Sequence, residues 1–246
     1  MSTLIIECSD MAPSSRLGSA LQDHGHRLDV RRMHRGDHLD TDPGRFDAVL
    51  CFGGPQSAND DSLPWIENVI ECLSRAHASG VPVLGICLGS QLLARALGGR
   101  VGPMPDGPRV GWAETELTPI GREDPLQRGL PWRMMNFHWN RECVIDLPDE
   151  AQVQATGPSS EIQCWSLGTR TYGIQNHPEI NRGQVDDWAA DDMELLDQLG
   201  LTARELEEET DERFDEFTRL TDRLHESICL LLMPLDRRTQ VVAQLP

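Results

Sequence analysis

An α/β fold, an open mixed sheet with helices on both faces, is what this 246-residue sequence predicts. Three observations carry that expectation. Short apolar runs alternate with helical patterns over residues 1–100. One of those runs, Val81-Pro82-Val83-Leu84, passes through a glycine-flanked turn straight into a helical pattern, Ser90-Gln91-Leu92-Leu93-Ala94-Arg95-Ala96-Leu97. After Gly98-Gly99 the pattern changes to closely spaced strand-like runs, as an antiparallel edge requires.

In chain order, Thr3–Glu7, Arg27–Val30, Asp47–Phe52 and Pro82–Ile86 read as strands. Between the last two, Pro64–Ala78 carries Trp65, Val69, Cys72, Leu73 and Ala76 at helical spacing. The later strand runs are Trp112–Leu117, Arg133–Phe137, Gln152–Ala155, Ile162–Trp165 and Thr171–Gln175. Beyond about residue 182 the chain turns helical. Val185, Trp188, Leu195, Leu196 and Leu199 form one apolar stripe, and Thr202-Ala203-Arg204-Glu205 is a capping box opening a further helix. Phe214, Phe217, Leu224, Ile228 and Leu231 mark its apolar face. From 181 to 246, seven basic residues stand against seventeen acidic ones. The expected division is a main domain over 1–200 and an acidic helical C-terminal extension over 201–246. That extension either covers the sheet or offers a docking surface for a partner or a second copy of the chain.

The chemistry concentrates in Gly85-Ile86-Cys87-Leu88-Gly89-Ser90-Gln91. A strand, a sharp turn and a helix expose a nucleophile by the same mechanics as a hydrolase elbow. Gly85 and Gly89 leave room where a side chain would crowd the turn, and Cys87 falls at a helix N-terminus, where dipole and free N–H groups favour thiolate. His177-Pro178-Glu179 follows the strand-like Tyr172-Gly173-Ile174-Gln175-Asn176. A residue before proline is pushed extended, and positions two apart then share a side, so Glu179 can orient the His177 ring. Nucleophile, base and orienter are then all present. The other cysteines, Cys8, Cys51, Cys72, Cys143, Cys164 and Cys229, read as small buried hydrophobes. His24, His26, His34, His38, His77 and His225 read as loop or helix-surface residues, and His138 as a pocket wall.

Three ordered blocks resemble the class I, triad-type glutamine amidotransferases: Gly53-Gly54-Pro55 after a strand, the cysteine elbow, and His177-Pro178-Glu179. Pro82-Val83-Leu84-Gly85-Ile86-Cys87-Leu88-Gly89 and Leu97-Gly98-Gly99-Arg100-Val101 look most like stand-alone, GMP-synthase-like amidotransferase domains. The resemblance implies a flavodoxin-like sheet. It also implies that Cys87 attacks the glutamine carboxamide to give a γ-glutamyl thioester, that His177 moves the proton and releases ammonia, and that Glu179 holds His177. By the same resemblance Gly53 and Gly54 shape the oxyanion loop, the Gly54 and Leu88 N–H groups bind the oxyanion, and Gln91 helps to hold glutamine. Phe137, His138 and Trp139 occupy the segment that binds the amino-acid end of glutamine in the family. Here Trp139 replaces a small residue and Asn140 an acid, which leaves glutamine and other γ-glutamyl compounds both open as substrates. Three function classes follow: a glutaminase that hands ammonia to a separate synthetase subunit, a γ-glutamyl peptide or amine hydrolase, and an inactive regulatory binding domain.

Composition bounds the rest. Twenty-two basic and forty acidic residues give a net charge of −18, and every basic residue is arginine. That balance argues against nucleic acid as a partner. The absence of lysine removes a Walker-type phosphate lysine and Schiff-base chemistry. Seven cysteines with no Cys-x-x-Cys pair point to reduced thiols rather than a disulfide framework or metal site, so no metal or cofactor is expected. Without a basic leader or a long apolar segment, the expectation is a soluble cytoplasmic protein that engages no membrane.

Overall fold

The computed structural model describes residues 2–40, 42–157 and 160–234. The end of the expected extension, 235–246, lies outside the described residues. The first half runs β1 (Ser2–Glu7), α1 (Ser15–Asp23), β2 (Arg27–Arg32), β3 (Ala48–Cys51), α2 (Pro64–Ala78), β4 (Val83–Ile86) and α3 (Leu88–Ala96). Then come β5 (Arg100–Pro103), β6 (Arg109–Leu117), α4 (Pro119–Glu123), β7 (Arg133–Asn140), β8 (Glu142–Asp146), β9 (Gln152–Gly157), β10 (Ser160–Leu167) and β11 (Thr171–Ile174). Three helices follow, α5 (Arg182–Asp191), α6 (Met193–Gln198) and α7 (Ala203–Ser227), the last prolonged by a π-helical turn over Ile228–Leu232.

The main sheet has nine strands in the order β2-β1-β3-β4-β11-β10-β9-β6-β7. From β2 to β11 the neighbours are parallel, and from β11 to β7 they are antiparallel. This is the expected α/β fold. Period-2 alternation explains why it has helices on both faces. Leu4, Ile6, Val49, Cys51 and Val83 pack with Ile66, Val69 and Leu73 of α2 and Leu92 and Leu93 of α3. Ile5, Ala48, Leu50, Leu84 and Ile86 point the other way, against Leu17 and Leu21 of α1 and Leu224, Ile228 and Cys229. Fully apolar short strands of this kind need both faces covered.

α7 opens on the foreseen capping box, in which Thr202 and Glu205 bond each other's backbone N–H. Phe217 joins Trp112, Phe137 and Trp188 in a third apolar cluster, so much of the helix's apolar face is covered by the chain's own fold. Leu231 departs from the expected face and is 55% exposed, because the π turn rotates it away from the α-helical register. The single stripe expected over 185–199 is divided between two helices, which part at Asp192 (φ −122°, ψ 46°).

Candidate active site

Cys87 sits between β4 and α3 with φ 53° and ψ −114°, one of three non-glycine residues with positive φ among those described. Such backbone strain persists only where the surroundings impose it. Here they do. Cys87 N–H donates to Ile174 O at 2.7 Å, and its own carbonyl accepts from Gln91 N–H at 3.1 Å. A Cβ on Gly85 would collide with the Gly89 carbonyl, and one on Gly89 with the Cys51 carbonyl of β3. Both glycines are required because α3 begins in backbone contact with the strands beneath it.

The parallel pairing of β11 with β4 places the loop after β11 beside the elbow. In that loop His177 Nδ1 and Glu179 Oε1 are 2.9 Å apart, with side chains 3% and 0% exposed. A ring N–H donated to the carboxylate leaves Nε2 available to Cys87, whose sulfur interacts electrostatically with the ring. Burial alone would strip the proton from His177. The Cys87 sulfur and then the Glu179 carboxylate overturn this and raise the ring's pKa to about 10. The His177 N–H donates to Phe137 O at 3.0 Å, and Trp188 stands edge-on to the ring at 4.8 Å. Arg16 ties the loop down, with its backbone N–H on Glu179 O at 3.1 Å and its guanidinium on Ile180 O at 3.2 Å.

Cys87 and His177 lie in the wall of a cavity of about 190 Å³ shared with Gly54, Gln91 and Trp139. A methyl group on Gly53 would lie 3.1 Å from His177 Cε1 and 3.5 Å from Cys87 Cβ, so this loop approaches the site without a side chain. Gln91 is anchored by its Nε2 to Glu142 O at 2.8 Å. Leu88 buries its side chain against α2 and α3 while its backbone opens the helix beside Cys87. Phe137 and His138 do not line the cavity. Phe137 is fully buried in the third cluster, and His138 turns to the opposite strand face with 1% exposure.

Several cavity residues were not foreseen. Arg141 and Glu142, just beyond β7, and Asp191 and Asp192, at the end of α5, form its outer wall. Arg141 bonds both Asp192 oxygens at 3.0 and 2.9 Å, and Trp139 Nε1 donates to Asp192 at 3.2 Å. Ser57 donates to Glu142 at 2.8 Å. The sequence signal for Arg141 and Glu142 was their adjacency to the Trp139 segment, whereas Asp191 and Asp192 carried none. Two histidines expected at the surface are buried. His26 is held by Thr3 Oγ1 at 2.9 Å, and His225 bonds the Pro178 backbone under α7, its pKa pushed down by burial to about 4. Among the described residues all seven cysteines are free and buried, and no group of three or more His, Cys, Asp or Glu could hold a metal. No helix among them is long and apolar enough to cross a membrane.

Comparison with known proteins identifies the family. Residues 7–192 match the family model for glutamine amidotransferase class-I. Over 149 residues the chain is 36% identical to GMP synthase [glutamine-hydrolyzing] of Aeropyrum pernix, covering 58% of this chain but only 27% of that protein. Over 171 residues it is 26% identical to gamma-glutamyl peptidase 3 of Arabidopsis thaliana, covering 67% of each. A crystal structure of a glutamine amidotransferase from Methylobacillus flagellatus superposes with a TM-score of 0.83 at 27% identity, covering 92% of this chain and 93% of that one. The chain belongs to the class-I glutamine amidotransferase family.

Proposed function

We propose that this protein hydrolyses the side-chain amide of glutamine through Cys87, His177 and Glu179. The observation that carries the reading is a histidine hydrogen-bonded to a fully buried carboxylate and sharing its cavity with a cysteine held in a strained elbow. Cys87 Sγ attacks the amide carbon, and the Gly54 and Leu88 N–H groups receive the oxyanion. His177 gives its proton to the leaving nitrogen, the C–N bond breaks, and ammonia departs from a γ-glutamyl thioester. Water then gives a proton to His177 and attacks the thioester; the C–S bond breaks and glutamate leaves. Glu179 keeps the ring in one tautomer and stabilises its charge, as a triad carboxylate does.

On this reading ammonia passes to a separate synthetase partner, since a chain without lysine or a phosphate-binding loop is poorly equipped to activate an acceptor with ATP. Solubility and a cytoplasmic location belong to the same proposal, as does a covering role for the acidic helical residues after 200. A second reading, hydrolysis of a γ-glutamyl peptide or amine, is favoured by the Trp139, Trp188 and Met11 wall, which offers apolar surface to a larger leaving group. An inactive binding domain would have no use for the buried carboxylate on His177.

The thioester is testable directly. Hydroxylamine added during turnover attacks it and releases γ-glutamyl hydroxamate. We expect hydroxamate from glutamine with the wild type and none with Cys87→Ala. Equal hydroxamate from a folded Cys87→Ala protein would remove Cys87 from the mechanism. Hydroxamate formed only from γ-glutamyl peptides would select the second reading.

A further inference from the structure

Asn140 ends β7, and its side chain reaches the nucleophile. Its Nδ2 lies 3.3 Å from Cys87 Sγ and 3.3 Å from Gln175 O. A backbone carbonyl can only accept, so the Gln175 contact fixes the NH2 end of the amide towards the sulfur. A second observation concerns the other end of the amide. Asn140 is 2% exposed and its Oδ1 has no hydrogen-bond partner, and neither ring nitrogen of His138 has one. Residues 138 and 140 share one face of the strand, and the His138 ring lies against Asn140. Burial, aided by Arg109 and His177, pushes the His138 pKa down to about 3, so the ring is neutral and carries a single N–H. The orphan donor and the orphan acceptor are therefore neighbours.

We propose that Asn140 is a catalytic residue of this site: its amide, oriented by Gln175 O and by His138, donates to Cys87 Sγ and holds the sulfur as a thiolate aimed into the cavity. The proposal rests on Cys87 being the nucleophile. A neutral amide donor beside a forming sulfur anion lowers the cost of that charge, whereas a carboxylate at the same place would set a like charge against it. The other titratable groups around the sulfur are His177 from the loop after β11, Arg141 and Glu142 from the turn into β8, and Asp191 and Asp192 from the end of α5. Arg141 and Asp192 neutralise each other; Asn140 is hydrogen-bonded to Cys87 Sγ, and the His177 ring interacts with that sulfur electrostatically.

The test is the pH dependence of iodoacetamide alkylation at Cys87, read on its own peptide by mass spectrometry. It requires no substrate. In Asn140→Ala the pH of half-maximal alkylation rises by about one unit and in Asn140→Asp by more, while kcat falls ~10–100-fold and KM stays within about threefold. Asn140→Ser, which restores a shorter donor, lies between Asn140→Ala and the wild type and serves if Asn140→Ala does not fold. His138→Phe moves the profile in the same direction by less. Unchanged alkylation profiles in folded Asn140→Ala or Asn140→Ser, with hydroxamate still trapped by the wild type, would overturn the role of Asn140 alone. A change in KM with no change in alkylation would make Asn140 a substrate contact and also overturn it. A wild type that traps no hydroxamate from any γ-glutamyl substrate would overturn the nucleophile reading and this proposal with it.

Discussion

The two walls of the cavity are held in different ways. On the elbow side, residues 85–91, the constraint is local and steric: adjacent backbone segments touch, two glycines are obligatory, and Cys87 is forced to positive φ. On the facing side, the end of β7 and the end of α5, the constraint is a network of polar side chains. It joins Trp139, Asn140, Arg141, Glu142 and Asp192 with partners from three other parts of the chain: Ser57, Gln175, and Cys87 and Gln91 of the elbow. Backbone contact allows almost no variation, whereas a polar network can be rebuilt with other residues. The elbow should therefore carry the reaction, with Asn140 reaching it from the facing wall, and the rest of that wall should carry the choice of substrate.

Changes that break this contrast differ in size. After removal of the nucleophile itself, Glu179→Gln should cost the most, a fall in kcat/KM of ~10²–10⁴-fold with the fold intact, because the ring loses its tautomer and charge partner. The pH profile sharpens the point. His177 is raised to about 10 from the ordinary 6.5, so it still carries the proton for the leaving nitrogen across neutral pH, and kcat/KM should fall as pH rises through about 10. Stability follows the same sign: the His177 contribution is full below about 6.5 and is lost as pH rises through about 10. In Glu179→Gln the alkaline limb should move down. A limb that stays in place would show that the carboxylate does not act through the ring.

Gly89→Ala tests the steric side. Its methyl group has no space against the Cys51 carbonyl, and both groups belong to rigid backbone, so a loss of about 3 kcal/mol or more in urea unfolding is expected. A variant that unfolds like the wild type would mean that the elbow is not close-packed. Asp192→Asn tests the polar side and should have the smallest effect. The Arg141–Asp192 pair is half open to water, so stability should change by less than about 1 kcal/mol while the KM ratio between glutamine and γ-glutamyl peptides shifts. A collapse of kcat for both substrates would place the reaction on the wrong wall.

The same contrast explains what could be read from the sequence. Elbow, glycine pair and His-Pro-Glu are short-range signals, because each geometry is fixed by residues next to each other. The strands β1, β3 and β4 announced themselves by being apolar on both faces. β5 and β8 did not, since Gly102 and Pro103 break the first pattern and Glu142, Asp146 and a half-open face obscure the second. Asp191 and Asp192 enter the cavity only because α5 ends there, a tertiary fact with no local signature. The burial of His26 and His225 was hidden for the same reason, since their partners Thr3 and Pro178 lie far along the chain.

The most direct measurement is the release of ammonia and glutamate from glutamine by the purified protein, with Cys87→Ala alongside. The account predicts equimolar products from the wild type and a fall of at least ~10⁴-fold in the variant, whose circular dichroism and melting stay unchanged. Turnover that survives in folded Cys87→Ala would contradict it.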